Sequence, residues 1–128
     1  MDLPTQAHLK TLRDLLAYRL TELRADVHAA DQARRDASGA AAHEVSDRKD
    51  EVAEQQFSTM EGAQAQRDLD EIGQVEAALH RLDAGTYGDC ADCDEPIPLQ
   101  RLFVQPAAPR CAPCQAAHEH RAVVRPTA

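Results

Sequence analysis

All four cysteines of this 128-residue chain fall between residues 90 and 114. They form two Cys-x-x-Cys pairs, Cys90/Cys93 and Cys111/Cys114, with 17 residues between the pairs. A Cys-x-x-Cys turn presents two thiolates to one ion from a single tight loop. Two such turns complete the tetrahedral four-sulfur sphere that a structural zinc favours. Protein sulfur then fills every position, with none left for water or substrate, so the spacing predicts a structural ion and argues against metal catalysis. Metal binding in comparable small modules drives folding and is worth roughly 10–16 kcal/mol. The clustering follows: this segment is poor in core-forming side chains, and an ion takes their place. Two other uses of four thiols fit less well. A redox dithiol calls for a βαβ context, which the flanking sequence lacks. An iron–sulfur cluster can also be held by four thiolates, but the evenly paired spacing favours zinc. His118 and His120 lie near the ligands in sequence; with four sulfurs bound they are redundant, and they are expected to face solvent.

The elements that position these thiols are read from proline, alanine and leucine. Twenty-four residues are alanine and only four are aromatic, so the chain forms helix readily but cannot fill a thick core. Pro4 stands near the start, and the other six prolines all lie from Pro96 onward. The proline-free stretch between them predicts long helices. Leu9, Leu12, Leu16, Leu20, Leu23, Val27 and Ala30 recur at steps of three and four from a start near Pro4–Thr5, a heptad-like seam along one face. The pattern dissolves after about residue 34, with the break expected at Ser38–Gly39. A second helix is expected from near Ser46, a good capping residue. Its seam is Val52, Gln56, Met60 and Ala63, then Leu69, Ile72, Val75, Leu79 and Leu82, and Gly85 suits its end. Residues 86–110 read as loop with at most a small hairpin, and Cys111 to about Val124 as a short closing helix. The fold class is therefore mainly α. Residues 1–85 are expected to form a long antiparallel helical hairpin, or coiled coil, with its tip near 38–50. Residues 86–128 are expected to form a small C4 zinc-finger module with a short C-terminal helix. Dimerisation of separate helices is the competing arrangement; a monomer is the expectation.

Charge narrows the function. The net charge is −8, and residues 1–85 carry 17 acidic against 10 basic side chains. A protein that works by neutralising phosphates needs the opposite balance, so general DNA or RNA binding is disfavoured. Asp89, Asp92, Asp94 and Glu95 around the first cysteine pair disfavour it at the finger as well. Lys10, Arg13, Asp14, Arg19 and Glu22 interrupt Leu9 to Leu23, which excludes a membrane span there. Nothing resembles a signal peptide, so the cytoplasm is the expected compartment, where thiols stay reduced and available to metal. No nucleophile–base pair, phosphate-binding glycine loop or open metal site is visible, and an enzyme is not expected.

The stretch TYGDCADCDEPIPLQRLFVQPAAPRCAPC, Thr86 to Cys114, resembles the signature of DksA/TraR-type C4 zinc-finger proteins. The points of match are the aromatic-Gly-x-Cys-x-x-Cys run, Ile97-Pro98-x-x-Arg101-Leu102, Pro106, and the second Cys-x-x-Cys after the same gap. The expected hairpin upstream fits the family's antiparallel coiled coil, so the resemblance covers about residues 5–124. It implies a bacterial transcription regulator that binds RNA polymerase directly and does not bind DNA. The coiled coil of such proteins enters the secondary channel of the polymerase, and acidic residues at its tip approach the active centre. The family's tip motif, Asp-x-x-Asp-x-Ala, falls about 40 residues before the first cysteine. Here that register holds Asp47 and Asp50, with Val52 in place of alanine. The resemblance thus assigns Asp47, Asp50 and Val52 to the partner-binding tip. Where relatives carry basic residues for the alarmone ppGpp, this chain has Gln74, Gln105 and Gln115, and neutral amides give up the charge attraction to phosphate. Action weakly with ppGpp or independently of it is the expectation. The alternative function is a zinc-containing coiled-coil adaptor that offers the same scaffold to a different protein partner.

Overall fold

The computed structural model describes residues 3–41 and 48–124, with side-chain surroundings given for those outside 38–59, 61, 123 and 124. Four helices follow one another: α1 (Gln6–Ala41), α2 (Arg48–Ala84), α3 (Leu99–Val104) and α4 (Ala112–Val124). The only β-type pairing among the described residues is an isolated antiparallel bridge between Asp89 and Pro96. The chain divides into two compact units, Met1–Tyr18 with Gln74–Ala128 and Arg19–Gly73, so the division cuts across both long helices.

Helix α1 starts where Thr5 can cap it. The Thr5 Oγ1 accepts from the His8 amide at 3.2 Å, and the Thr5 amide donates back to His8 Nδ1 at 3.1 Å. This is a capping box in which histidine takes the place usually held by Glu or Gln. The helix does not break at Ser38–Gly39 as expected but continues to Ala41. A single glycine costs only about 1 kcal/mol relative to alanine in a helix interior, and Ala37, Ala40 and Ala41 surround this pair. The capping role expected of Ser46 lies outside the described residues. Helix α2 ends as Gly85 predicts. Gly85 takes φ +77°, its amide reaches the Leu82 carbonyl, and the Thr86 amide reaches the Arg81 carbonyl at 2.9 Å. Those two bonds define a Schellman motif, which needs a residue without Cβ strain at this position.

The α1 seam is as the sequence predicts: Leu12, Leu16, Leu20 and Leu23 are buried, with Leu9, Val27 and Ala30 half-buried. The α2 seam is partly different. Val75 and Ala78 are buried and Ile72, Leu79 and Leu82 half-buried, but Met60 is 75% exposed and Ala63 is exposed too. Seven residues back from Val75 lies Asp68, and ten back lies Ala65; these two are the half-buried positions. The helical register set by Val75 therefore passes through small and polar residues and leaves Met60 off the seam.

Within each unit an ion pair links α1 to α2. In the first unit Arg13 meets Asp83 at 2.9 Å. In the second, Arg19 grips Glu71 with both Nε and Nη2, at 2.6 and 2.9 Å. This two-point contact raises the Arg19 pKa and lowers that of Glu71, each chiefly through the shared hydrogen bond. Among the described residues no helix is long and apolar enough to cross a membrane.

Candidate metal centre

The first knuckle is shaped by its backbone. The Ile97 amide donates to the Gly88 carbonyl at 2.7 Å and the Cys90 amide to the Glu95 carbonyl at 2.9 Å, so residues 88–97 fold back on themselves as a tight hairpin. The turn closes when the Asp94 amide donates to the Cys90 carbonyl at 3.0 Å, which puts Asp94 at φ +63°. That left-handed conformation is strained for a residue with a Cβ. Gly88, at φ +95°, takes the corresponding role at the entrance to the hairpin. The second knuckle stands at the start of α4: Cys111 precedes the helix, Cys114 lies in its first turn, and the Gln115 amide donates to the Cys111 carbonyl.

These two segments bring Cys90, Cys93, Cys111 and Cys114 together, with all four Sγ atoms within 4.8 Å of one another. Four sulfurs bound tetrahedrally at about 2.3 Å from a zinc ion lie about 3.8 Å apart. The Cys93 and Cys111 sulfurs are 3.9 Å apart. At Cys90 burial opposes ionisation, but the amides of Cys93, Cys111 and Asp92 outweigh it and hold the thiol down at about 6. Cys114 is pushed the other way by the crowded sulfurs of Cys111, Cys90 and Cys93. Cys93 is raised as well: the Glu95 amide favours its thiolate, but its hydrogen bond with Cys90 and burial prevail. Four thiolates this close repel one another unless a cation lies among them, so the donor set fits one divalent ion and four soft ligands fit zinc.

The site rests on a small apolar cluster. Leu12 from α1, Cys90, Ile97 and Leu102 are buried together, with Tyr87, Leu99, Cys111 and Cys114 packed against them. The Tyr87 hydroxyl donates to the Pro106 carbonyl at 2.7 Å, tying the end of α2 to the loop after α3. Burial pushes the Tyr87 hydroxyl up to about 12, with the nearby Arg81 charge pulling the other way. Burial also lowers the Arg81 pKa, and its Nη2 is enclosed without a hydrogen-bond partner among the described residues.

Helix α3 falls in the stretch expected to be loop. Pro98 directly precedes its first residue, and the Arg101 and Leu102 amides donate to the Pro98 carbonyl. A proline just ahead of a short helix costs nothing, and its density here hid the helix. Arg101 and Arg110 also join the structure around the cysteines. In the structure Arg101 Nε donates to the Arg110 carbonyl at 3.0 Å, and Arg110 Nε to Asp92 at 2.9 Å. One signal was available: opposite charges stand one residue before Cys93 and one residue before Cys111. His118 and His120 are exposed on α4 and do not belong to the cluster. Gln74 and Gln105 are exposed, and Gln115 donates to Glu119 at 3.1 Å. Of the expected tip residues, Asp47 lies outside the described residues. Asp50 and Val52 lie on the first turns of α2, and their side-chain surroundings are likewise outside what is described.

Two Cys-x-x-Cys knuckles that bring four sulfurs together define a C4-type metal centre. Residues 85–120 match the family profile described as the prokaryotic dksA/traR C4-type zinc finger. A segment of 50 residues is 40% identical to the RNA polymerase-binding transcription factor DksA of Caulobacter vibrioides strain NA1000 / CB15N. The match is the same for strain ATCC 19089 / CIP 103742 / CB 15. That segment is 39% of this chain and spans about a third of the length of these curated relatives, 35%. The structure of transcription factor DksA2 from Pseudomonas aeruginosa is similar over 91% of this chain and 86% of that one, with a TM-score of 0.76 and 28% sequence identity. Over residues 85–120 the chain is similar to the dksA/traR C4-type zinc fingers, and its four clustered cysteines fit one structural zinc.

Proposed function

We propose that this chain is a transcription regulator that binds RNA polymerase directly, entering by the secondary channel with its coiled-coil tip near the active centre. The observation that carries the reading is the likeness to transcription factor DksA2 over 91% of the chain, together with the four-sulfur cluster at its base. The Caulobacter relatives are named for polymerase binding, which supplies the partner. In this reading Cys90, Cys93, Cys111 and Cys114 hold one zinc ion that shapes the module. Four protein sulfurs fill its coordination sphere, so the ion is structural and the protein acts by contact, without catalysis. Asp47 and Asp50 act from the tip, where carboxylates can meet a basic polymerase loop or a catalytic magnesium. Val52 adds bulk beside them. The protein does not bind DNA: the first knuckle exposes Asp89, Asp92, Asp94 and Glu95. Gln74, Gln105 and Gln115 make its action weakly dependent on ppGpp or independent of it.

Site-specific crosslinking from position 50 to purified RNA polymerase tests this reading. Labelling of the catalytic subunits near the secondary channel supports it. Absence of labelling, with the protein folded and loaded with zinc, favours an adaptor for another protein partner.

A further inference from the structure

Each cysteine pair is organised by its own turn, but a four-sulfur site also needs the two turns held at the right separation. The residue before Cys93 is Asp92 and the residue before Cys111 is Arg110. Arg110 Nε donates to Asp92 Oδ2 at 2.9 Å, and the sulfurs of the two following cysteines are 3.9 Å apart. The ion pair and the sulfur pair thus bridge the same two backbone segments, side by side. The two side chains are 21% and 32% exposed, so water and salt weaken the pair somewhat less than they weaken a fully exposed one. Two further contacts fix the same junction: Arg101 Nε donates to the Arg110 carbonyl at 3.0 Å, and the Ala91 amide to the Pro109 carbonyl at 2.9 Å. Arg121 on α4 also approaches Asp92 Oδ2, at 3.8 Å.

Resting on the zinc reading above, we propose that Asp92 and Arg110 form an electrostatic clasp that sets the separation of the Cys93 and Cys111 sulfurs and thereby the zinc affinity of the site. Neither side chain touches the ion; both are positioning residues. Loss of such outer partners typically lowers metal affinity 10–100-fold, because the ligands must then be ordered by the metal alone. The clasp separates from a plain field effect by sign. Zinc with four thiolates carries two net negative charges, so removing the Asp92 carboxylate should strengthen zinc binding if only its charge mattered. If the clasp operates, removing it weakens binding.

The test is zinc competition against a chromophoric chelator, with the reduced full-length chain at fixed pH and salt. Asp92→Asn and Arg110→Met are each expected to bind zinc 10–100-fold more weakly. The double variant is expected to lose no more than the worse single, since the second change removes a partner already lost. Arg110→Lys, which keeps the charge without Nε, is expected to fall between parent and Arg110→Met. Zinc binding by Asp92→Asn as tight as the parent's, or losses that multiply in the double variant, would overturn the clasp alone. A parent chain that takes up no zinc would overturn the zinc reading and the clasp with it.

Discussion

Leu102 is the side chain through which core packing and metal binding are most directly coupled. It is fully buried, at 0% exposure, in the cluster that contains Cys90. Leu102→Ala removes three carbons, worth about 0.8 kcal/mol each in transfer free energy, or about 2.4 kcal/mol. The cavity left behind adds to this, and about 3 kcal/mol is a reasonable total for such a site. Among the described residues the cluster's buried members are Leu12, Cys90, Ile97 and Leu102, too little apolar surface to hold the module closed without its ion. Metal binding and module folding are then one equilibrium, and the packing loss passes into the apparent zinc affinity. At about 1.4 kcal/mol per decade, 3 kcal/mol corresponds to an affinity about 10²-fold weaker. Chelator competition on the reduced protein measures it, with circular dichroism confirming that the long helices persist. An affinity within threefold of the parent would refute the reasoning, since it would mean that the module's packing and its metal site are independent.

Asp94 holds φ +63°, so Asp94→Gly relieves left-handed strain and is expected to stabilise the zinc-loaded protein by about 1 kcal/mol; a lower melting temperature would count against this. Glu71 is held below its ordinary carboxylate value of 4.5 by Arg19, so the folded state favours its ionised form. Its contribution is complete above 4.5 and is lost as pH falls through the lowered folded value, and Glu71→Gln should flatten that part of the stability–pH curve. Denaturant titrations between pH 3 and 7 would show no difference between the two proteins if the pair were inert. Asp50→Asn is expected to abolish the effect on transcription while leaving zinc content and helicity unchanged; full activity in a purified transcription assay would remove the tip from the mechanism.

The parts legible in the chain were those with local, repeating signals. The leucine steps from Leu9 to Leu23 are set by the 3.6-residue turn and needed no partner to be read. The same holds for Gly85, whose place at a helix end follows from backbone sterics, and for the cysteine pairs, since a Cys-x-x-Cys turn is a self-contained chelating loop. Where the signal was compositional it misled. Ser38–Gly39 looked like a break, but the helix runs through it to Ala41, and prolines around Leu99–Val104 concealed α3.

Composition and spacing were enough to dictate a helical chain with four thiols poised for one ion. They could not say which face of α2 meets α1. Met60 suits a seam by type, yet the register imposed by Val75 leaves it 75% exposed. Nor could they pair Arg110 with Asp92, 18 positions apart, or direct Arg101 to a backbone carbonyl. Those choices depend on how segments distant in the chain approach one another. Such contacts form only when burial around Leu12 and Leu102 and the closing of two knuckles bring the segments into range, and no local preference encodes them.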